Sequence, residues 1–173
     1  KLDPRLTDAA KDLGAGSLTF NANYTLAGAR LNTAGLVVNS GATVTTQLTG
    51  ASGDEWRKVG AGTLAISGTG DNPAKLNTGG GGLTVLNRSG GYAVSYVKIN
   101  GDRNTTVRLV GDNQIAGANG GSSTVVFGHR GGRLDLYGHD ASWTYITHLD
   151  QDANIANTKD NDGSTFTFTG SGA

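Results

Sequence analysis

Short runs of alternating apolar and polar residues, each three to six residues long, make up most of this chain after position 14. Glycine, asparagine, aspartate and serine separate the runs, and glycine alone supplies 29 of the 173 residues. A period of two in runs this short predicts half-buried β-strands. The clearest runs lie at 17–20, 42–46, 63–67, 82–86, 106–110, 133–136 and 164–169. The sequence therefore predicts an all-β fold.

The spacing of the runs distinguishes between β architectures. Runs that open at Leu64, Leu83, Val107 and Val125 are roughly 19, 24 and 18 residues apart. A loose period near 20 is typical of a β-solenoid, in which each repeat forms one coil. Sandwiches and closed barrels favour longer strands and tight hairpins, whereas most connectors here are longer and rich in glycine. Coils of ~20 residues stacked every ~4.8 Å would give about eight coils and a rod roughly 40 Å long.

One segment at the start of the chain has a helical pattern. Asp3 can cap a helix, Pro4 can occupy its first position, and Gly14 can end it. The residues that would share its apolar face are Leu6, Ala9, Ala10 and Leu13. We expect residues 1–14 to form a short helical or irregular cap that covers exposed strand edges at one end of the solenoid.

The composition argues against several classes of function. Without cysteine the chain has no disulfides, no Cys-zinc site and no thiol catalysis. Its 14 basic and 14 acidic residues cancel, which argues against a nucleic-acid or polybasic membrane binder. No apolar run approaches the ~20 residues of a membrane-spanning helix, and the first residues lack the apolar stretch of a signal peptide. An interior piece of a longer protein fits these features better than a cytosolic protein does.

Motifs for hydrolysis and phosphate binding are absent from the sequence. Neither Gly-Asp-Ser-Gly nor Gly-x-Ser-x-Gly occurs, and Ser52-Gly53-Asp54 is interpreted as a loop. The glycine-rich stretches at 60–62 and 79–82 lead into strands rather than helices, so they are not phosphate-binding loops.

Metal-ligand patterns are equally weak. His129, His139 and His148 are almost equally spaced, with Asp140 and Asp150 nearby, but they lack the short spacings of zinc sites. Surface or turn positions are therefore expected for the histidines. The acidic stretch 150–163 matches neither an EF-hand loop nor the calcium-binding nonapeptide repeat, so we expect an exposed turn there.

Residues 127–140, FGHRGGRLDLYGHD, closely resemble a recurrent block of the secreted serine protease autotransporters, which include IgA1-protease-like proteins and their enterobacterial relatives. The resemblance extends to the lysine–glycine motif at 58–64 and, in order, to 14–20, 112–114, 144–146 and 152–155. Departures occur at Tyr137, where asparagine is frequent, at Trp143, where phenylalanine is common, and at Asn157-Thr158, where relatives often have Asn-His.

This resemblance implies a right-handed parallel β-helix that carries an N-terminal chymotrypsin-like protease domain and precedes a membrane β-barrel translocator. Residues 1–173 would be a single β-helical segment of the passenger, the part of the precursor that is exported. The expected function is a structural stalk that displays the protease and supports its export through the periplasm and outer membrane. Expected partners are the protease domain and translocator barrel of the same precursor, and the segment is expected to be a monomer that does not bind nucleic acid.

The resemblance also implies that the parent is a secreted serine endopeptidase. The catalytic His, Asp and Ser of that family belong to its protease domain, and none can be matched here. We therefore expect no catalytic residue, cofactor or metal site in this segment. Stacking coil by coil would bury one layer of Val, Leu and Ile at a time, at ~25 cal/mol per Å², and so favour export.

Two alternatives remain open. A β-helical adhesin that binds a host glycan or protein would need an exposed aromatic patch. The candidates for that patch are Trp56, Tyr92, Tyr96, Trp143 and Tyr145. A polysaccharide-cleaving enzyme would need converging charges from Arg108, Arg130, Arg133 and Asp135, of which Asp135 is expected to point away from the core because it alternates with Leu134 and Leu136.

Overall fold

The structure is a computed structural model that describes residues 13–116, 124–148 and 152–169. Within these ranges all regular secondary structure is β, and no helix is long and apolar enough to cross a membrane. In chain order the strands are β1 (Leu13–Ala15), β2 (Leu18–Phe20), β3 (Tyr24–Leu26), β4 (Leu31–Thr33), β5 (Leu36–Val38), β6 (Thr43–Thr46), β7 (Glu55–Val59), β8 (Thr63–Ile66), β9 (Lys75–Thr78), β10 (Leu83–Leu86), β11 (Tyr96–Ile99), β12 (Thr106–Leu109), β13 (Val125–Phe127), β14 (Gly132–Asp135), β15 (Ala141–Trp143), β16 (Ile146–His148), β17 (Ala153–Ala156) and β18 (Phe166–Phe168).

Two seven-stranded parallel sheets run through the molecule. The first sheet has the order β16-β13-β11-β9-β7-β5-β2, and the second has the order β17-β14-β12-β10-β8-β6-β3. Each coil contributes one strand to each sheet, from coil 1 (β2 and β3) to coil 7 (β16 and β17). The pairs β1–β4 and β15–β18, with three isolated bridges, form a shorter third face. The predicted all-β parallel β-helix is confirmed.

The coil length is regular at first and then increases. In the second sheet Tyr24 pairs with Val44, Val44 with Leu64, and Leu64 with Thr84, so the spacing is the same at each step. The column continues to Val107 and Leu134 over longer coils. The predicted period near 20 is therefore confirmed for the early coils.

The prediction is wrong in two details of the later coils. The predicted series puts the strand at Val125 in the same sheet as those at Leu64 and Val107. Val125 instead lies in the first sheet and pairs with Val97, because the connectors between strands differ in length. Within the described residues each main sheet has seven strands, rather than one for each of the eight coils expected.

Strand alternation forms a dry interior. In β8, Leu64 and Ile66 are fully buried, while Thr63 and Ala65 on the outer side are partly exposed. Ile66 stacks between Thr46 and Leu86 of the neighbouring coils. Burying a Leu or Ile side chain contributes about 1.5–3 kcal/mol, so each coil is stabilised mainly by the coil below and the coil above.

The predicted N-terminal helix is wrong at its C-terminal end. Leu13 and Gly14 belong to β1, whose residues pair in parallel with Leu31 and Asn32 of β4. A strand at this position satisfies backbone groups on the edge of β4, which a helix would leave unpaired. The remaining residues of the proposed cap, 1–12, lie outside the described residues.

Candidate functional site

The serine–glycine–aspartate sequence at 52–54 forms a turn, in agreement with its interpretation as a loop. Its carboxylate stabilises that turn, because Asp54 Oδ2 accepts a hydrogen bond of 2.7 Å from Ala51 N and one of 3.1 Å from Arg30 Nη2. Asp54 therefore acts on the local backbone and on Arg30 rather than on a neighbouring serine.

The histidines do not converge on one place. His129 is exposed in a turn, whereas His139 Nδ1 lies 3.3 Å from Asp112 Oδ1. His148 ends β16, and Asp150 lies outside the described residues. Across the described ranges no three His, Cys, Asp or Glu side chains are grouped so that they could hold a metal ion.

Near His139, aspartate side chains accept hydrogen bonds from backbone amides of the next coil. Asp112 Oδ1 accepts a hydrogen bond of 3.0 Å from Asp140 N, and Asp140 Oδ1 accepts one of 2.6 Å from Thr165 N. The ladder ties three successive coils together. In the acidic stretch, residues 158–163 are exposed, as expected of a turn, but Ala153–Ala156 form strand β17. Asp152 pairs with Arg103 at 3.0 Å.

A network of polar contacts surrounds Asp135. Strand pairing places Asp135 in an outer column with Arg108, while Leu134 stacks on Val107 inside. The direction predicted from alternation is therefore correct. Asp135 is nevertheless fully buried, because side chains of its own coil, the coil before it and the connector after β17 cover it.

Three segments of the chain supply the contacts of this carboxylate. Asp135 Oδ2 accepts hydrogen bonds of 2.8 Å from Arg108 Nε and 2.7 Å from Thr158 Oγ1. Its Oδ1 accepts bonds of 3.0 Å from Thr158 N and 3.2 Å from Tyr137 N. The four residues, Arg108, Asp135, Tyr137 and Thr158, form what we call the Asp135 cluster, and it fastens coil 7 to coils 5 and 6.

Tyr137 has a backbone conformation that suits asparagine. Its φ of 50° lies in the left-handed region, which asparagine enters more readily than other non-glycine residues. A tyrosine here costs about 1–2 kcal/mol of backbone strain. The guanidinium of Arg108 lies 4.2 Å from the centre of the Tyr137 ring, and this cation–π contact offsets part of the strain.

The Asp135 cluster predicts a pH-dependent stability. Burial alone would raise the pKa of Asp135, but hydrogen bonds from Thr158 and Arg108 and the charge of Arg108 hold it below its ordinary value of 3.8. A carboxyl whose folded pKa is depressed stabilises the fold above its unfolded pKa and loses that contribution as the pH falls. We expect Asp135→Asn to lower the free energy of unfolding at pH 7 by about 1–3 kcal/mol.

The measurement is urea denaturation at pH 7, 5 and 3. The difference between Asp135→Asn and the parent should shrink as the pH falls below about 3.8, because the unfolded parent chain then binds the proton that the folded carboxyl still resists. Asp160→Asn removes an exposed carboxylate from the connector after β17 and serves as the control, with no measurable effect expected. A difference that stays constant with pH would show that the Asp135 charge is irrelevant to stability.

A lysine lies inside the solenoid. Lys58 of β7 is fully buried and stacks between Leu36 and Thr78 in an interior column of the first sheet. Its Nζ donates hydrogen bonds of 2.6 Å to Gly60 O and 3.0 Å to Gly81 O. Burial lowers the pKa of Lys58 to about 8. The sequence resemblance includes this lysine in a motif but does not place it inside; alternation with Trp56 is the signal that could have done so.

An arginine is buried at the third face. Arg88 donates to three carbonyl oxygens of the connector after β8, with Nη1–Ser67 O at 2.6 Å, Nε–Gly70 O at 2.8 Å and Nη2–Thr69 O. Burial lowers its pKa. The side chain of Gln114, one coil further on, binds both Arg88 N (2.6 Å) and Arg88 O (2.9 Å). Nothing in the sequence distinguishes this arginine from a surface residue.

Lys58 should make the fold more stable as the solution becomes alkaline. Its folded pKa is about 8 and its ordinary value is 10.5, so the unfolded chain binds more protons between these two pH values. The free energy of unfolding therefore rises with pH over that interval. We expect Lys58→Met to lose this rise in urea denaturation at pH 7, 8.5 and 10. Lys98→Met, on the outer side of β11, should retain it, and an equal rise in both variants would contradict the assignment.

The structure removes two of the five aromatic candidates for a binding patch. Trp56 and Trp143 are core residues, at 0% and 1% exposure, so both are wrong as candidates for that patch. Trp56 Nε1 donates to Leu31 O at 3.0 Å, and the Trp143 ring packs 4.9 Å from that of Phe166. The three remaining candidates, Tyr92, Tyr96 and Tyr145, are partly buried on the surface.

Of the four charged candidates, the structure brings Arg108 and Asp135 into contact. Arg108 donates a hydrogen bond of 2.8 Å to Asp135. Arg130 is exposed in a turn, and Arg133 is exposed on the outer side of β14. A shallow notch of about 300 Å³ lies over the ends of β7 and β9, and none of these four residues lines it. Its Arg57 and Asn77 side chains bind Glu55 Oε1 at 2.9 and 3.3 Å. The polar groups of the described surface therefore mostly stabilise the coils.

The chain is similar in sequence to known secreted proteases. No protein-family model matches it. An immunoglobulin A1 protease autotransporter of Haemophilus influenzae is 37% identical over 166 residues, covering 92% of this chain and 10% of that protein. An IgA-specific serine endopeptidase autotransporter of Neisseria gonorrhoeae is 39% identical over 166 residues, covering 91% of this chain and 10% of that protein.

A third relative, the serine protease SepA autotransporter of Shigella flexneri, is 34% identical over 152 residues, covering 83% of this chain and 11% of that protein. The chain thus spans about a tenth of the length of the curated relatives it matches. The resemblance noted in the sequence is confirmed along most of the chain. Over nine-tenths of its length, this parallel β-solenoid is homologous to a segment of the serine protease autotransporters.

Proposed function

We propose that this segment is a structural stalk within the passenger of a secreted serine protease autotransporter. The observation that carries the proposal is the continuous stacking of seven coils through two parallel sheets. Seven coils at ~4.8 Å make a rod of roughly 30 Å. A rod held by in-register backbone hydrogen bonds and a dry interior keeps whatever is attached to its two ends at a fixed separation.

The proposal also names the partners, the location and the parent protein of the segment. Its partners are a protease domain and a membrane-barrel translocator of one precursor, and its location is the bacterial surface or the medium after passage through the periplasm and outer membrane. The parent is a serine endopeptidase, in line with the names of the relatives. The stalk itself acts as a monomer without catalytic residues.

Coil-by-coil folding supports a role in export. Each coil is stabilised mainly by its immediate neighbours, so a coil that emerges from a membrane can fold on those already outside. The chain contains no cysteine and therefore no disulfide that would hold it folded before passage. Burial of each new apolar layer, at ~25 cal/mol per Å², then opposes backward movement.

Removal of one whole coil tests the proposal in the precursor. Ser67 N donates to Thr46 O at 2.8 Å, so deletion of positions 47–66 excises coil 3 and joins two residues that already touch. A control deletion of positions 47–56 removes half a coil and destroys the register. For a stalk, the whole-coil deletion should keep surface display and peptide hydrolysis within about twofold, whereas the half-coil deletion should lower display at least about tenfold.

Three readouts separate the alternatives. Retained display with lost proteolysis in the whole-coil variant would mean that the segment forms part of the protease site. Retained display and proteolysis with lost attachment to host cells would favour the adhesin. Equal loss of display in both variants would show that the rod is not modular, and the stalk proposal would fail.

A further inference from the structure

The notch of about 300 Å³ on the outer side of the first sheet exists because one side chain is missing. Gly79 N donates to Lys58 O at 3.0 Å and Asn100 N donates to Thr78 O at 2.8 Å, so Val59, Gly79 and Asn100 follow one another in an outer column. The glycine leaves a gap between the other two side chains. A Cβ at Gly79 would lie 2.4 Å from Asn100 O, so the stacking of the coils requires glycine there. The notch is therefore a built feature of the fold.

An arginine at the edge of the notch has free hydrogen-bond donors. Arg57 Nε donates to Glu55 Oε1 at 2.9 Å, and Asn77 Nδ2 donates to the same oxygen at 3.3 Å. The hydrogen bond from Arg57 lowers the pKa of Glu55, so this carboxylate is ionised at neutral pH and orients the guanidinium. Among the described residues neither Nη of Arg57 has a partner, and its side chain is 65% exposed. Two parallel N–H donors of this kind match the two oxygens of a carboxylate.

Positive charge predominates around the notch. Lys98 lies in the same outer column as Arg57, two strands away, and Lys75 lies on the strand between them. These three cations outnumber the two carboxylates of this part of the surface, which are Glu55 and Asp102. Within the described structure, neither lysine has an ion-pair or hydrogen-bond partner. The surface beside the notch therefore attracts anions.

A further cation lies beneath the notch. Lys58 lines its floor and is fully buried. Its Nζ donates to Gly60 O and Gly81 O, and neither of these carbonyl oxygens carries a charge. A charge in the low-dielectric interior interacts more strongly with its surroundings than the same charge in water. Lys58 thus adds to the positive potential that an anion in the notch would meet.

The remaining groups around the notch suit a sugar. The amides of Asn77 and Asn100 line it, and an amide offers both donors and acceptors to hydroxyl groups. Tyr96 lies beside Lys75 on the outer side of the sheet and supplies an aromatic ring. The notch opens onto a flat sheet, so the rest of a linear ligand can lie across the neighbouring strands.

We propose that this notch binds an acidic glycan. Arg57 and Lys98 hold a carboxylate of one sugar, and the amides of Asn77 and Asn100 bind its hydroxyl groups. The volume of about 300 Å³ is at the lower end of the range for ligand sites, as expected for one sugar unit of a longer chain. This inference does not rest on the proposed function, because a rod holds its ends apart with or without a ligand on its side.

A titration followed by NMR tests the site directly. The ¹⁵N-labelled chain is titrated at neutral pH and ~0.15 M salt with oligogalacturonate and, separately, with its methyl ester, which has the same sugars without the charges. The acid should cause saturable shifts in the backbone amide signals of Gly79, Gly80, Asn100 and Gly101. The ester should bind at least about tenfold more weakly, equivalent to about 1.4 kcal/mol. Equal affinities, shifts centred elsewhere, or no shifts at all would overturn the proposal.

A charge variant assigns the carboxylate to its arginine. Arg57→Gln should weaken binding of oligogalacturonate at least about tenfold, because it removes the charged pair of donors. Arg133→Gln removes the same charge from an exposed position on the second sheet and should leave the affinity unchanged. Both substitutions lie on the surface, so the urea midpoints should match that of the parent. Equal weakening in both variants would indicate attraction to the whole surface instead of a site.

A second variant fills the notch and keeps every charge. Gly101 lines the notch with a φ of +97°, and asparagine enters the left-handed region more readily than other residues with a side chain. Gly101→Asn should therefore weaken binding at least about tenfold. Gly90→Asn, at a φ of +67° with no atom within 4 Å of the added Cβ, should have no effect. Unchanged binding in a folded Gly101→Asn would overturn the proposal, and if that variant unfolds, Arg57→Gln decides.

Competition distinguishes a glycan site from a general polyanion surface. Dextran sulfate and single-stranded DNA are added to the complex with oligogalacturonate at equal concentrations of negative charge. A site that recognises a carboxylated sugar should lose little oligogalacturonate to either competitor. Displacement by single-stranded DNA or by dextran sulfate at or below the concentration of oligogalacturonate would show that charge alone is recognised, and the glycan proposal would fail.

Discussion

Replacement of Leu134 by aspartate should unfold the coils around β14. Leu134 is fully buried and stacks between Val107 and Ile155. The substitution removes about 1.5–3 kcal/mol of apolar burial and places an unpaired carboxylate in the interior, at a cost of several kcal/mol more. The sum is of the same order as the total stability of ~5–15 kcal/mol of a typical domain. We therefore expect urea denaturation to show loss of the folded baseline.

The neighbouring residue supplies the control. Arg133 lies in the same strand but is exposed on the outer side, so Arg133→Asp introduces the same carboxylate without burying it. Its effect should stay within about 0.5 kcal/mol. In the precursor, Leu134→Asp with Leu136→Asp should also block surface display. Normal folding and secretion of that variant would refute the idea that coil stacking supports export.

Truncation of Trp56 should produce the second largest loss. Trp56 is fully buried, stacks beside Leu76 and donates through Nε1 to Leu31 O at 3.0 Å. Removing a large aromatic side chain from a core costs about 3–5 kcal/mol. We expect Trp56→Ala to lower the free energy of unfolding by that amount in urea denaturation, and to increase hydrogen exchange first in coils 2 to 4.

A phenylalanine at the same position separates packing from hydrogen bonding. Trp56→Phe keeps most of the ring and loses only the bond to Leu31 O, which is worth about 0.5–1.5 kcal/mol, plus a small void. Its loss should therefore be clearly smaller than that of Trp56→Ala. Equal stabilities of the two variants would show that the ring does not contribute to the core.

The inward face could be read from the sequence for the strands whose residues alternate clearly. In β8, Leu64 and Ile66 alternate with Thr63 and Ala65, and the structure buries the first two. A period of two is a local property of extended backbone, so no knowledge of distant residues is needed. The resemblance at 127–140 is likewise confirmed, because it depends on residue identity alone.

The buried polar groups could not be read in the same way. Lys58 and Arg88 bind carbonyl oxygens, which every residue carries, so no side chain in the sequence identifies the partner. Alternation between two leucines places Asp135 outside, yet Thr158, further along the chain, covers it. Trp143 is a candidate for a surface patch by residue type and is instead part of the core.

The sequence by itself determined that the chain is β, that it coils with a period near 20, and which family it resembles, because alternation, spacing and residue identity are local or repetitive. Only the tertiary structure decided the length of each coil, the strand at Leu13–Ala15, and the burial of Lys58, Arg88 and Asp135. Those features depend on contacts between coils. Such contacts exist only after the chain has wound round and brought residues of successive coils into hydrogen-bonding distance.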